Sequence, residues 1–107
     1  MNMPQQTHTH EFLGSTKLAV EGNLRHNHRF SGVTSQAIHL NDGNHIHEII
    51  SNTDFDFAHL HQLIIETGPG IPVGDGRHVH FVKGITTIGR GHRHEFIFAT
   101  LIEARLK

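Results

Sequence analysis

The sequence predicts an all-β fold: six antiparallel strands in three tandem two-strand repeats, closed into a small barrel or prism. Three observations predict it. Twelve of the 13 histidines in the 107-residue chain fall into six His-x-His pairs. The pairs recur at a period of 33 residues, from His26 to His59 to His92 and from His45 to His78, and a period of that size defines an architecture. Within each segment the shared positions alternate with a period of two, which is the period of a strand.

The pairs are His8/His10, His26/His28, His45/His47, His59/His61, His78/His80 and His92/His94. Two residues after each comes an apolar side chain: Phe12, Phe30, Ile49, Leu63, Val82 and Phe96. A threonine follows four residues later: Thr16, Thr34, Thr53, Thr67, Thr86 and Thr100. The segment H-x-H-x-Φ-x-x-x-T therefore puts positions 1, 3, 5 and 9 on one face of a strand. The repeats span 8–44, 45–77 and 78–107, the first four residues longer than the second. They form a single domain over 7–107, preceded by a disordered stretch over 1–6. No segment reads as a convincing helix, apart from a short turn in the C-terminal LIEARLK.

Strand direction follows from reach. A nine-residue strand is about 30 Å long, whereas the five-residue connections 54–58 and 87–91 span at most about 17 Å. Those neighbours must be antiparallel hairpins. A β-solenoid with a histidine ladder is the alternative, disfavoured by so short a coil. Antiparallel strands divide the histidines into two clusters, one of His8, His10, His45, His47, His78 and His80, the other of His26, His28, His59, His61, His92 and His94. The position-5 residues form a belt between them. A symmetric register puts each position-3 histidine opposite position 7, where Gly14, Gly32, Ser51 and Gly84 leave room for rings. It puts each threonine beside the first histidine of the next strand, where its hydroxyl accepts an imidazole N–H.

Imidazoles at i and i+2 on one strand face converge on an ion, so the twelve histidines are candidate metal ligands and the six threonines candidate orienters of their rings. A divalent transition metal is expected, zinc first, with copper, nickel or iron as alternatives. Three- and four-histidine shells are commoner than six, so several smaller sites per cluster fit as well. A proton-sensing histidine array and plain packing are competing readings. His39 stands outside the pattern. Asp42 and Asp75 sit in Asp-Gly turns (35–44 and 68–77) and read as turn residues before ligands. His26-Asn27-His28 spells a nuclease-like triplet without the context of one.

Composition narrows the partners. A net charge of −1 and the absence of Tyr, Trp and Cys give no reason to expect nucleic acid, a membrane surface, disulfides or thiolate ligands. No apolar run approaches a membrane span, and the N-terminus lacks the regions of a secretory signal, so a cytoplasmic setting is expected, with a spore or cell-surface assembly as the alternative. The outward positions hold Val33, Ile46, Ile50, Leu60, Ile64, Val79, Phe81, Ile85 and Ile97, which suggests a homo-oligomer. Glu11, Glu48 and Glu95 share that outer face.

The stretches HTHEFLGST, HNHRFSGVT, TGPGIPVGDGRHVHFV and GHRHEFIFATLIE resemble the YmaF family of small bacterial proteins, over about residues 8–103. The resemblance implies bacterial origin and a His-x-His repeat, and carries no catalytic residue over. The chain departs from the family at Gln62 and Phe81, where an acidic or basic residue often follows the pair. The resulting expectation is a metal-binding module for storage, buffering or structural stabilisation. A metal enzyme activating water or oxygen is set against it by the regularity of the repeats, which supplies no unique acid, base or nucleophile. A subunit of a surface or filament assembly is the third reading.

Overall fold

A computed structural model describes residues 8–20 and 22–104; the stretch expected to be disordered, 1–6, lies outside them. The described chain is all-β with one turn of 3-10 helix at Gly22–Leu24. Its strands are β1 (Thr9–Ser15), β2 (Arg29–Val33), β3 (Ile38–His39), β4 (His45–Ile46), β5 (Glu48–Asn52), β6 (Gln62–Glu66), β7 (Gly70–Gly74), β8 (Arg77–Ile85), β9 (Glu95–Ala99) and β10 (Glu103–Ala104). They form four antiparallel sheets: β10-β1-β2, β3-β4, β5-β6 and β7-β8-β9.

The expected six-strand closed barrel or prism is therefore not what forms, and the antiparallel pairing excludes the solenoid. The repeat unit is a hairpin, and three hairpins, β1-β2, β5-β6 and β8-β9, face one another without a continuous ladder between them. Only single backbone bonds join them, such as Asp54 N–H to the Arg29 carbonyl (2.8 Å), Thr87 N–H to Gln62 (3.0 Å) and Leu101 N–H to Glu11 (2.9 Å). Strands of five residues with splayed ends are too short to close a barrel by hydrogen bonding alone. The two long connections are not plain loops either. Each folds into an extra small hairpin arm, β3-β4 around Asp42-Gly43 and β7-β8 around Asp75-Gly76. Asp75 (φ 53°) and Gly76 (φ 70°) are both left-handed, as a type I′ turn needs, and the Asp42 carboxylate accepts the Asn44 N–H at 2.9 Å. Both aspartates are turn residues. The C-terminal segment expected to turn instead runs as β10, pairing Glu103 with His10 and Ala104 with Thr9.

The core is the expected belt: Phe12, Phe30, Ile49, Leu63, Val82 and Phe96, one from each hairpin strand, all buried. The outward residues Val33, Ile50, Leu60, Ile64, Phe81, Ile85 and Ile97 are exposed, whereas Ile46 and Val79 are half-buried.

The register differs from expectation by two residues. Phe12 pairs with Gly32, Gly14 with Phe30, Ile49 with Ile65, and Val82 with Phe98. Position 5 thus faces position 7, and the position-7 glycines make room for core rings rather than imidazoles. A Cβ at Gly32 would stand 2.8 Å from the Phe12 ring tip, and one at Gly14 would stand 2.9 Å from that of Phe30. Gly32→Ala is accordingly expected to destabilise the protein by about 1–3 kcal/mol, the usual cost of overpacking, as read in a urea melt; a loss below about 0.3 kcal/mol would show that the belt is loosely packed.

Candidate metal centres

The same register brings position 3 opposite position 9, so each threonine meets a histidine backbone. All six hydroxyls accept the N–H of a position-3 histidine. Thr16 takes that of His28 (2.9 Å), Thr34 of His10 (3.1 Å), Thr53 of His61 (2.9 Å), Thr67 of His47 (3.1 Å), Thr86 of His94 (3.0 Å) and Thr100 of His80 (3.0 Å). The threonine is therefore not beside the first histidine as expected.

The hydroxyls of Thr34, Thr67 and Thr100 do reach an imidazole, lying 3.3–3.4 Å from Nδ1 of the position-3 rings of His47, His80 and His10, but the shorter contact comes from the residue after each threonine. Its carbonyl accepts the Nδ1–H of a position-3 imidazole in the next hairpin: Ser35 from His47, Gly68 from His80, Leu101 from His10, Lys17 from His94 and Thr87 from His61, all at 2.8 Å, and Asp54 from His28 at 3.2 Å. The hydroxyls of Thr34, Thr53, Thr67 and Thr86 also donate to that next carbonyl. Each end of the molecule is thus a closed ring of three hairpins, every one holding its neighbour's histidine. A carbonyl can only accept, so the proton sits on Nδ1 and the Nε2 lone pair points inward.

Four of the position-1 histidines are held at Nδ1 in a similar way. His26, His59 and His92 donate from Nδ1 to the carbonyls of Leu24 (2.8 Å), Phe57 (2.8 Å) and Arg90 (3.3 Å), while Nδ1 of His78 lies 3.1 Å from the carboxylate of Glu103. Phe57 stacks on His26 with ring centroids 4.6 Å apart and planes 12° from parallel.

The Nε2 atoms converge in two groups that match the expected division, all within 4.8 Å of one another in each group. In the first, His8, His45 and His78 form a triangle with 3.0 Å edges; His10 approaches His78 at 3.1 Å and His80 approaches His45 at 3.2 Å. In the second, His26, His59 and His92 form a triangle with edges of 3.2, 3.1 and 3.2 Å, and His28 approaches His59 at 3.1 Å. The rings meet edge to face, and each has a single ring it does not meet. In the first group the opposites are His8 and His80, His10 and His45, and His47 and His78. In the second they are His26 and His61, His28 and His92, and His59 and His94. That adjacency is an octahedron.

The shortest nitrogen–nitrogen edges are 3.0–3.2 Å, and a regular octahedron of that edge has its centre at the edge divided by √2, roughly 2.1–2.3 Å from a vertex, which is about a metal–imidazole bond length. The clusters could hold a metal ion each. Close Nε2 pairs are not hydrogen bonds when both rings carry their proton on Nδ1, and Nε2 of His47, His61 and His94 is buried with no hydrogen-bond partner. Buried, unpaired acceptors demand a counterpart.

Eight of the rings are pushed toward the neutral form. Burial pushes His8, His10, His45, His47 and His94 down to about 4, with neighbouring imidazoles pushing the same way and the Nδ1–H bonds of His10, His47 and His94 opposing. Burial also lowers His59, His61 and His80. His39, exposed, lies with its ring 6.3 Å from that of His45 and outside the group.

Two features escaped the sequence. The carbonyls at position 10 have no side-chain signature, since any residue supplies one. Glu103 accepts the His78 N–H at 2.9 Å as well as facing its ring; Asn44 accepts the N–H of the equivalent His45, but among the described residues no second carboxylate faces the ring of a position-1 histidine.

Among the described residues no helix is long and apolar enough to cross a membrane. No curated protein and no solved structure matches the chain. One family does match, over residues 5–102, under the description spore germination protein GerY/YamF. With the paired histidines, the threonines and the belt all inside that match, the chain belongs to the YmaF family.

Proposed function

We propose that this protein binds two divalent transition-metal ions, one in each six-histidine cluster, and that the ions are structural. The observation that carries the reading is the octahedral packing of six imidazoles at each end, ten of the twelve rings being held at Nδ1 by a carbonyl or carboxylate so that Nε2 turns inward. His8, His10, His45, His47, His78 and His80 are the ligands at one end; His26, His28, His59, His61, His92 and His94 are the ligands at the other. Thr16, Thr34, Thr53, Thr67, Thr86 and Thr100 hold the position-3 strands, and Thr34, Thr53, Thr67 and Thr86 also hold the carbonyls that orient the rings.

Six donors at this spacing suit ions that favour six-coordination with imidazole, such as nickel, cobalt or iron in the divalent state. Zinc, the first expectation from sequence, prefers four ligands in a structural site and fits less well. A filled shell leaves no position for water or substrate, which argues against the enzyme reading, since metal catalysis needs an open site. The matching family is described as a spore germination protein, and a structural part in germination is the role we assign to the domain.

Elemental analysis and cobalt(II) titration of the purified chain test this together. Two ions per chain are expected, with the weak visible bands of six-coordinate cobalt. Less than one ion with no uptake would sink the metal reading, and the intense bands of tetrahedral cobalt would sink the octahedral one.

A further inference from the structure

Threefold repetition makes the two ends alike in their ligands, but not in their charge. Glu103 lies on β10 opposite His10 and is buried to 1% exposure. One carboxylate oxygen accepts the His78 backbone N–H at 2.9 Å, and the other stands 3.1 Å from His78 Nδ1. The Arg77 guanidinium is 3.7 Å away on a side chain 41% exposed, and its Nη2 donates to the Glu103 backbone carbonyl at 3.0 Å. At the other end the equivalent imidazoles, His26, His59 and His92, donate to neutral carbonyls. Asp54, whose carboxylate lies 3.2 Å from His28 Nδ1, is 47% exposed.

A carboxylate on the far nitrogen of a ligating imidazole raises its basicity and fixes its tautomer, and losing such a partner typically costs about 10–100-fold in affinity. Its charge is also felt more strongly when both it and the cation are buried, because solvent and salt screen it less. Asp54, half in water, is screened.

We propose that Glu103, acting through His78, makes the cluster of His8, His10, His45, His47, His78 and His80 the first to fill, so that the two ends load in order. Glu103 is a positioning residue; it meets the ligand and not the ion. The inference rests on reading each cluster as a metal site.

Cobalt(II) titrated into the full metal-free chain tests it, with calorimetry for affinity and hyperfine-shifted imidazole N–H resonances for location. Two steps are expected, the first about 10–100-fold tighter and marked by the His78 Nδ1–H signal. Glu103→Gln keeps the shape and an acceptor but removes the charge. It should weaken the first step until the two merge, leaving the second within about threefold. Glu103→Asp, which keeps the charge, should retain the order, and Asp54→Asn should change neither step beyond about threefold. Equal filling of both ends in the unaltered chain would overturn the proposal, as would E103Q that loads in the original order or weakens both steps alike. No cobalt uptake at all would overturn the metal reading itself, a different result from two equal steps.

Discussion

Stripping the proposed metal from the purified protein is expected to lower its melting temperature by about 20 °C or more, and adding back nickel or cobalt to restore it. The size follows from how little else holds the chain. Among the described residues only six apolar side chains are fully in the core, Phe12, Phe30, Ile49, Leu63, Val82 and Phe96, and each contributes about 1.5–3 kcal/mol when buried. A chain this small rarely gains a wide margin from such a core. The ends are worse placed without an ion, because six imidazoles crowd together at each of them and Nε2 of His47, His61 and His94 is buried with no hydrogen-bond partner. Those three rings can relieve this by moving the proton to Nε2, which breaks the Nδ1–H bond that fixes each of them, or by moving outward and opening the ring of hairpins. An ion at a thousand times its dissociation constant adds about 4 kcal/mol, so two add roughly 8 kcal/mol, comparable to the whole stability of an ordinary small domain. At about 4–8 °C per kcal/mol for a domain near this size, 20 °C is a conservative figure. A calorimetric melt of protein whose metal content has been measured before and after chelation is the check. An unchanged melting temperature with the metal demonstrably gone would mean that the clusters are packing devices.

The repeat told much of this in advance because its chemistry sits in side chains at fixed spacing. His8/His10 and its five counterparts, the belt from Phe12 to Phe96 and the six threonines all belong to one strand face, and a period of two is enough to put them there. The division into two clusters needed only the length of the 54–58 connection. What the sequence could not carry was register. Gly14 and Gly32 allow either an imidazole or a phenyl ring opposite them, and only the observed pairing, Phe12 with Gly32, decides that the room is for the core. From that shift of two residues the arrangement at the ends follows: threonine against the position-3 backbone, the next carbonyl against the neighbour's Nδ1, and six imidazoles packed in octahedral adjacency. Closure was over-read for a related reason. Alternation predicts strands but not their mutual hydrogen bonds, and five-residue strands such as β5 and β6 end before a ladder to the next hairpin can form. Glu103 was hidden by the repeat itself, since it is legible only as a departure from threefold symmetry in three dimensions.

Acid should undo the metal-free protein across a defined window. Burial and neighbouring imidazoles hold His8, His10, His45, His47 and His94 at about 4 in the folded chain, against about 6.5 unfolded. Between those values the unfolded chain binds more protons than the folded one, so stability rises with pH through the window and falls on acidification. Above about pH 7 both states hold these rings neutral, and the curve is flat. The metal-free melting temperature is therefore expected to stay level from pH 8 to 7 and to drop by about 10 °C or more between pH 6.5 and 5, since several rings share the same sign of shift. The ion competes for the same lone pairs as the proton, so the loaded protein should hold its plateau to lower pH and then lose stability more steeply as metal leaves. Thermal melts in parallel at each pH, loaded and metal-free, separate the two. A metal-free curve that stays flat from pH 7 to 5 would show that the rings are hydrated and charge without cost, and the buried octahedron would then not be the folded state in solution.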